Sequence, residues 1–125
     1  MNVLVVPDKF KGTLTAAQAA AAITRGWQRW RPQDEVDALP MSDGGDGFGE
    51  VLSHLLGAQP QHTPTVDAAH RPLEATWWWH AATGMAVIES ARVIGLAMLP
   101  PGQFHPTELD TYGLGAVLDR AAAQG

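Results

Sequence analysis

An α/β fold that opens strand–helix–strand–helix is the architecture this sequence predicts, and three observations carry it. Val3, Leu4, Val5 and Val6 form a short, wholly apolar, β-branched-rich run stopped by Pro7 and Asp8. Such a run suits a strand covered on both faces in a parallel sheet. An Ala-rich segment with helical periodicity follows, and then a second short strand and a second amphipathic stretch repeat the pattern. Strands alternating with helices are the opening of a doubly wound parallel sheet.

The elements follow in order. Thr15 and Gln18 are spaced as a capping box, because each side chain can satisfy an orphan backbone donor at a helix start. Ala20, Ile23, Trp27 and Trp30 recur at helical spacing and are expected to form its buried stripe, with Pro32 ending the helix. Residues 36–39 are the second strand, halted by Pro40, and residues 42–47 are a flexible acidic loop. Phe48, Val51, Leu52, Leu55 and Leu56 mark the second helix, with Gly57 as its C-terminal cap.

Beyond Gly57 the character changes. Residues 59–66 and 73–80 read as two strands around a turn at 67–72, and residues 85–89 as a third. A Pro/Gly-containing loop at 99–106 leads to a last helix over 111–124, with Asp110 as N-cap and Leu114, Val117, Leu118 and Ala121 as its apolar face. Two strands do not complete a doubly wound sheet, so the sequence reads as the front part of a larger, truncated α/β protein.

Composition narrows the function. With 46% hydrophobic and 17% charged residues, the chain is globular rather than disordered. A net charge of −5 with only eight basic residues argues against nucleic acid as the partner. No apolar run approaches the roughly 18–20 residues that cross a bilayer, and the start lacks the basic leader of a signal peptide. The absence of cysteine excludes disulfides and thiolate chemistry and fits a reducing cytoplasm.

Three loops carry candidate chemistry. In a parallel sheet the loops after the first two strands leave at the same edge, where open α/β sheets bind ligands. Asp8, Lys9 and Lys11 are therefore expected near Asp43 and Asp46. Lysine is a mobile point charge suited to phosphate, aspartate holds hydrated magnesium or accepts a hydroxyl proton, and Gly44 and Gly45 admit close backbone approach. The set suits a phosphorylated ligand, while capping and turn formation by Asp8, Asp46 and the glycines is the bland alternative. The third loop carries Thr111 at a helix start, either as an anion contact or, with Asp110, as a simple N-cap. Five histidines show no metal spacing. Trp77, Trp78 and Trp79 should pack both faces of a sheet, and Glu89 is either a paired buried acid or a site residue.

Four blocks carry a resemblance. Residues 7–16 (PDKFKGTLTA), 40–47 (PMSDGGDG), 87–91 (VIESA) with Gly95 and Leu96, and 111–115 (TYGLG) resemble, in order, the signatures of the bacterial glycerate kinase family. Departures are Lys9 (often Ser), Ser42 (often Ala), Asp46 (often Glu), Ser90 (often Met) and Leu114 (often Thr or Val). The resemblance implies a Rossmann-like domain interrupted by a second α/β domain. Residues 1–57 would be the first part of the former and 58–125 the start of the latter. It also implies transfer of the ATP γ-phosphoryl group to D-glycerate with Mg2+, in a cytoplasmic enzyme. The assignment that follows gives Asp43 and Lys11 the catalytic roles, with Asp43 also the metal ligand. Asp8, Lys9, Gly44, Gly45, Asp46 and Thr111 would contact substrate or phosphate. Transfer to the 2-hydroxyl is preferred over the 3-hydroxyl. A further family block, with a second Asp-Gly-Gly, would lie past Gly125. Its absence gives the alternative of a truncated, non-catalytic ligand-binding or vestigial fragment.

Overall fold

A computed structural model describes residues Met1–Gly125, which fold as two compact units, Met1–Val51 and Leu52–Gly125.

The first unit pairs strand β1 (Asn2–Val5) in parallel with β2 (Glu35–Ala38), in the register Asn2↔Glu35 to Val5↔Ala38. Helix α1 (Ala16–Trp30) connects them. It starts where the sequence predicts: Thr15 Oγ1 accepts from the Gln18 amide at 3.2 Å, and Gln18 Oε1 accepts from the Thr15 amide at 2.9 Å. Ala16, Ala19 and Ala20 are buried, small enough to let the helix lie close on the sheet.

The expected stripe is only partly buried. Ala20 is covered and Trp27 half-covered, but Ile23 is exposed and Trp30 is 84% exposed. The physical reason is length: four-residue strands span about 13 Å, whereas a fifteen-residue helix spans about 22 Å. Nor is β1 covered on both faces. Val5 is buried, while Leu4, pointing the other way, is 62% exposed, because α1 covers only one side of the sheet in this unit.

A buried carboxylate closes the β1–α1–β2 turn. Asp34 accepts from the Met1 ammonium at 3.1 Å and the Trp27 indole at 3.0 Å, with the Arg31 guanidinium at 3.4 Å. Burial pushes the Asp34 carboxyl up. The hydrogen bonds from Met1 and Trp27 and the charge of Arg31 outweigh it and hold the group below its ordinary value.

Helix α2 (Phe48–Leu56) ends at Gly57 as predicted, although Leu55 is exposed rather than buried. Strands β3 (Gln59–Val66), β4 (Pro72–His80) and β5 (Met85–Val87) then form an antiparallel sheet in that order. Pro60 and Pro64 are tolerated because β3 is an edge strand. At the β3–β4 turn, buried Asp67 accepts from the amides of Ala69 and Arg71 and from Arg71 Nε at 2.6 Å. Burial raises its pKa, but the Arg71 amide and guanidinium and the Ala69 amide outweigh that and lower it.

The core of this unit is Ala75, Trp77, Val93, Val117 and Ala121, the last two from helix α4 (Tyr112–Ala122). The tryptophans alternate as expected. Trp77 sits in this core with its indole donating to Thr63 Oγ1 at 3.0 Å, and Trp79 meets it edge-on. Trp78 is buried with the Arg92 guanidinium over its ring. Three details differ from expectation. Strand β5 stops at Val87, and a short helix α3 (Ala91–Ile94) follows, too brief to leave a periodic signal. Leu118, placed on the apolar face of α4, is exposed. Helix α4 begins one residue later than Thr111, which stands at the N-cap without a side-chain cap bond; the Asp110 carboxylate instead accepts from the Tyr112 amide at 2.9 Å.

Candidate active site

Parallel pairing fixes the geometry of the candidate site, since the chain leaves β1 and β2 at the same end of the sheet. Two backbone bonds hold the departing loops together: the Leu39 amide donates to the Val5 carbonyl at 2.9 Å and the Met41 amide to the Pro7 carbonyl at 3.0 Å. The loop carrying Asp8, Lys9 and Lys11 therefore runs beside the loop carrying Asp43 and Asp46, as the sequence predicts.

The first loop is a tight structure. Phe10 and Leu14 form an isolated antiparallel bridge, and the Thr13 amide donates to the Phe10 carbonyl at 2.9 Å. Gly12 has φ +75°, the left-handed conformation that the third position of a type II turn demands. Lys11 sits at the turn's tip, exposed and without an ion-pair partner. Asp8 is exposed and accepts from the Lys9 amide at 2.6 Å.

The second loop is organised by its own side chains. Asp43 Oδ1 accepts from the Gly45 amide at 2.9 Å, and Ser42 Oγ accepts from the Gly44 amide at 3.2 Å. These are the local side-chain turns that Asp and Ser favour. The amides of Gly44 and Gly45 are thus already partnered, and what Gly44 offers is open space beside the backbone. Asp43 is exposed, and its second oxygen has no protein partner. Lys9 crosses between the loops, donating to the Asp46 backbone carbonyl and lying 3.6 Å from Asp46 Oδ2.

Nowhere does a group of three or more His, Asp or Glu side chains gather as a metal cage. Magnesium engaged with phosphate needs only one or two carboxylates, its other ligands being water and phosphate oxygens. The exposed Asp43 carboxylate fits that requirement.

Thr111 belongs to the second unit. Its hydroxyl makes no cap bond, and Asp110 does the capping. The glycine after Tyr112 has a packing reason: a Cβ on Gly113 would stand 1.8 Å from the Val66 carbonyl oxygen, where α4 crosses β3. Glu89 is buried with Arg92 Nε 3.9 Å away, the geometry of a paired acid. Two contacts were not anticipated from the sequence, the Ser42 turn and the Lys9–Asp46 pair. A signal for the second existed: a lysine at a position often held by serine needs an anion, and the facing loop is acidic.

The sequence profile of the glycerate kinase family matches residues 3–125. A protein named glycerate kinase from Halalkalibacterium halodurans is 33% identical over 126 residues, covering 100% of this chain and 33% of the relative. The Escherichia coli protein named glycerate 2-kinase is 26% identical over 125 residues, with the same coverage of 100% and 33%. The crystal structure of a Salmonella typhimurium LT2 protein, provisionally named glycerate kinase 2, matches with a TM-score of 0.86 at 27% identity, over 98% of this chain and 33% of that one. The chain spans about a third of the length of the curated relatives it matches.

Proposed function

The chain belongs to the glycerate kinase family, and from that premise we propose that it is the N-terminal third of a cytoplasmic, ATP-dependent kinase that phosphorylates D-glycerate. In this reading residues 1–57 are the first part of a Rossmann-like domain and residues 58–125 begin an inserted α/β domain. The observation that supports it best is the meeting of a lysine-bearing loop and an aspartate-bearing loop at the end of two parallel strands. That is where open α/β sheets hold ligands.

Phosphoryl transfer asks little covalent chemistry of a protein and much positioning and charge. A hydroxyl oxygen of glycerate bonds to the γ-phosphorus, the bond from that phosphorus to the bridging oxygen of ADP breaks, and the hydroxyl proton must be taken up. The Asp43 carboxylate, exposed with one oxygen unpartnered, is the group assigned to orient that hydroxyl and accept its proton. Lys11, exposed and unpaired, holds a phosphate or the glycerate carboxylate. Asp8 and Asp46 flank the site, and Gly44 and Gly45 let the ligand come close to the backbone. In the alternative role of the same residue, the free Asp43 oxygen would hold magnesium, which would supply neutralisation of charge on the phosphate oxygens, in place of accepting the proton. We assign transfer to the 2-hydroxyl, in keeping with the name of the Escherichia coli relative.

The test is ADP release from ATP and Mg2+ in the presence of D-glycerate, followed by identification of the phosphoglycerate by NMR. ADP formation that depends on D-glycerate, with 2-phosphoglycerate as the product, is the expected result. 3-Phosphoglycerate would overturn the regiochemistry alone. No glycerate-dependent ADP would overturn the kinase assignment and favour a non-catalytic fragment.

A further inference from the structure

Lys9 and Lys11 lie two positions apart in one loop, yet the structure treats them differently. Lys11 projects from the tip of the Phe10–Thr13 turn and meets nothing charged. The Lys9 side chain is 21% exposed and ends on Asp46, at both its backbone carbonyl and its carboxylate. A Cβ built on Gly45 would stand 3.8 Å from Lys9 Nζ and 3.0 Å from Asp43 Oδ1. The ammonium and the Asp43 carboxylate therefore border the same side of one glycine.

We propose that Lys9 is a positioning residue, a clamp across the two loops that fixes the turn presenting Asp43, and not a group that touches substrate. This rests on the kinase reading given above. The bond to the Asp46 carbonyl is the main arm, because it grips backbone. The carboxylate arm is weaker, since the Asp46 side chain is 78% exposed and its ion pair is screened by solvent. Glycine at positions 44, 45 and 47 leaves the backbone of this loop few intrinsic restraints. A restraint supplied from the neighbouring loop thus decides where Asp43 points. With the charge of Lys9 engaged by Asp46, Lys11 remains the cation of the first loop that can meet an anionic ligand.

Positioning and substrate contact differ in how they divide between kcat and KM. Displacing a reacting group by about 1 Å costs up to about 100-fold in rate, so Lys9→Met should lower kcat by about 10- to 100-fold. Because ground-state binding is untouched, KM for ATP and glycerate should stay within about two-fold. Asp46→Ala removes only the weaker arm and should have a smaller effect on kcat. The double variant should be no worse than Lys9→Met alone, since both changes break one unit. A rise in KM with kcat unchanged, or a silent Lys9→Met, overturns the proposal.

A second readout does not depend on turnover. In 1H–15N spectra, Lys9→Met should shift the amide signals of Gly45, Asp46 and Gly47, across the gap between the loops, while Lys11→Met leaves them in place. Unmoved signals in Lys9→Met overturn the clamp. A wild-type protein that forms no ADP but shows these shifts overturns the kinase reading and the catalytic half of this proposal, and leaves the clamp standing.

Discussion

Three aspartates carry the clearest electrostatic content, and each couples folding to pH. Asp34 and Asp67 are buried with cationic and N–H partners that outweigh the cost of burial. Asp110 is exposed, but the hydrogen bond from His70 at 2.8 Å, then that from the Tyr112 amide, lowers its pKa as well. All three bind a proton less readily folded than unfolded. Their stabilisation is therefore complete above the ordinary value of 3.8 and is lost as pH falls through the lower folded values. Urea midpoints measured from pH 6 down to pH 2 should decline mainly below pH 4. Asp34→Asn should flatten part of that decline, because Asn keeps an acceptor for the Trp27 indole but has no proton to gain. A decline as steep as that of the wild type would remove Asp34 from this role. Lys11→Ala removes a charge rather than a proton acceptor. If its charge binds the ground state and transition state alike, steady-state kinetics should show KM rising with kcat little changed.

Helices and strands show what a sequence encodes locally and what it does not. The start of α1 was legible because a capping box needs only residues three apart. The span of β3 was legible because Gly57 and Asp67 bracket it. The buried stripe of α1 was not, since burial of Ile23 and Trp30 depends on how much sheet lies beneath the helix. Helix α3 escaped because one turn carries no period. The candidate loops were legible from topology alone, whereas the Lys9–Asp46 contact joins residues 37 apart: the sequence signals that Lys9 needs an anion, but which acidic residue meets it follows from the folded loops.

Within α4, two glycines make a paired prediction. Gly113→Ala drives a Cβ into the Val66 carbonyl and should destabilise by about 3 kcal/mol, the upper end of ordinary overpacking. Gly115→Ala meets nothing within 4 Å and should stabilise by about 1 kcal/mol through helix propensity. Urea denaturation of both variants checks this, and equal effects would contradict the close approach of α4 to β3. Trp77→Ala, which empties the centre of that core, should cost about 3–5 kcal/mol in the same assay.

At the scale of the molecule, family membership extends over residues 3–125, while the chain accounts for about a third of its relatives' length. No helix is long and apolar enough to cross a membrane. In the kinase proposed above, the edge of the β1–β2 sheet is a reaction centre and not a pair of ordinary turns. The kcat of Asp43→Asn beside the wild type, with D-glycerate, ATP and Mg2+, tests this most directly. Asn serves a turn nearly as well as Asp, so the fold should change by no more than about 0.5 kcal/mol. Loss of a proton-accepting carboxylate should lower kcat by roughly 100- to 10,000-fold. Turnover by Asp43→Asn close to that of the wild type would mean that Asp43 only shapes a turn.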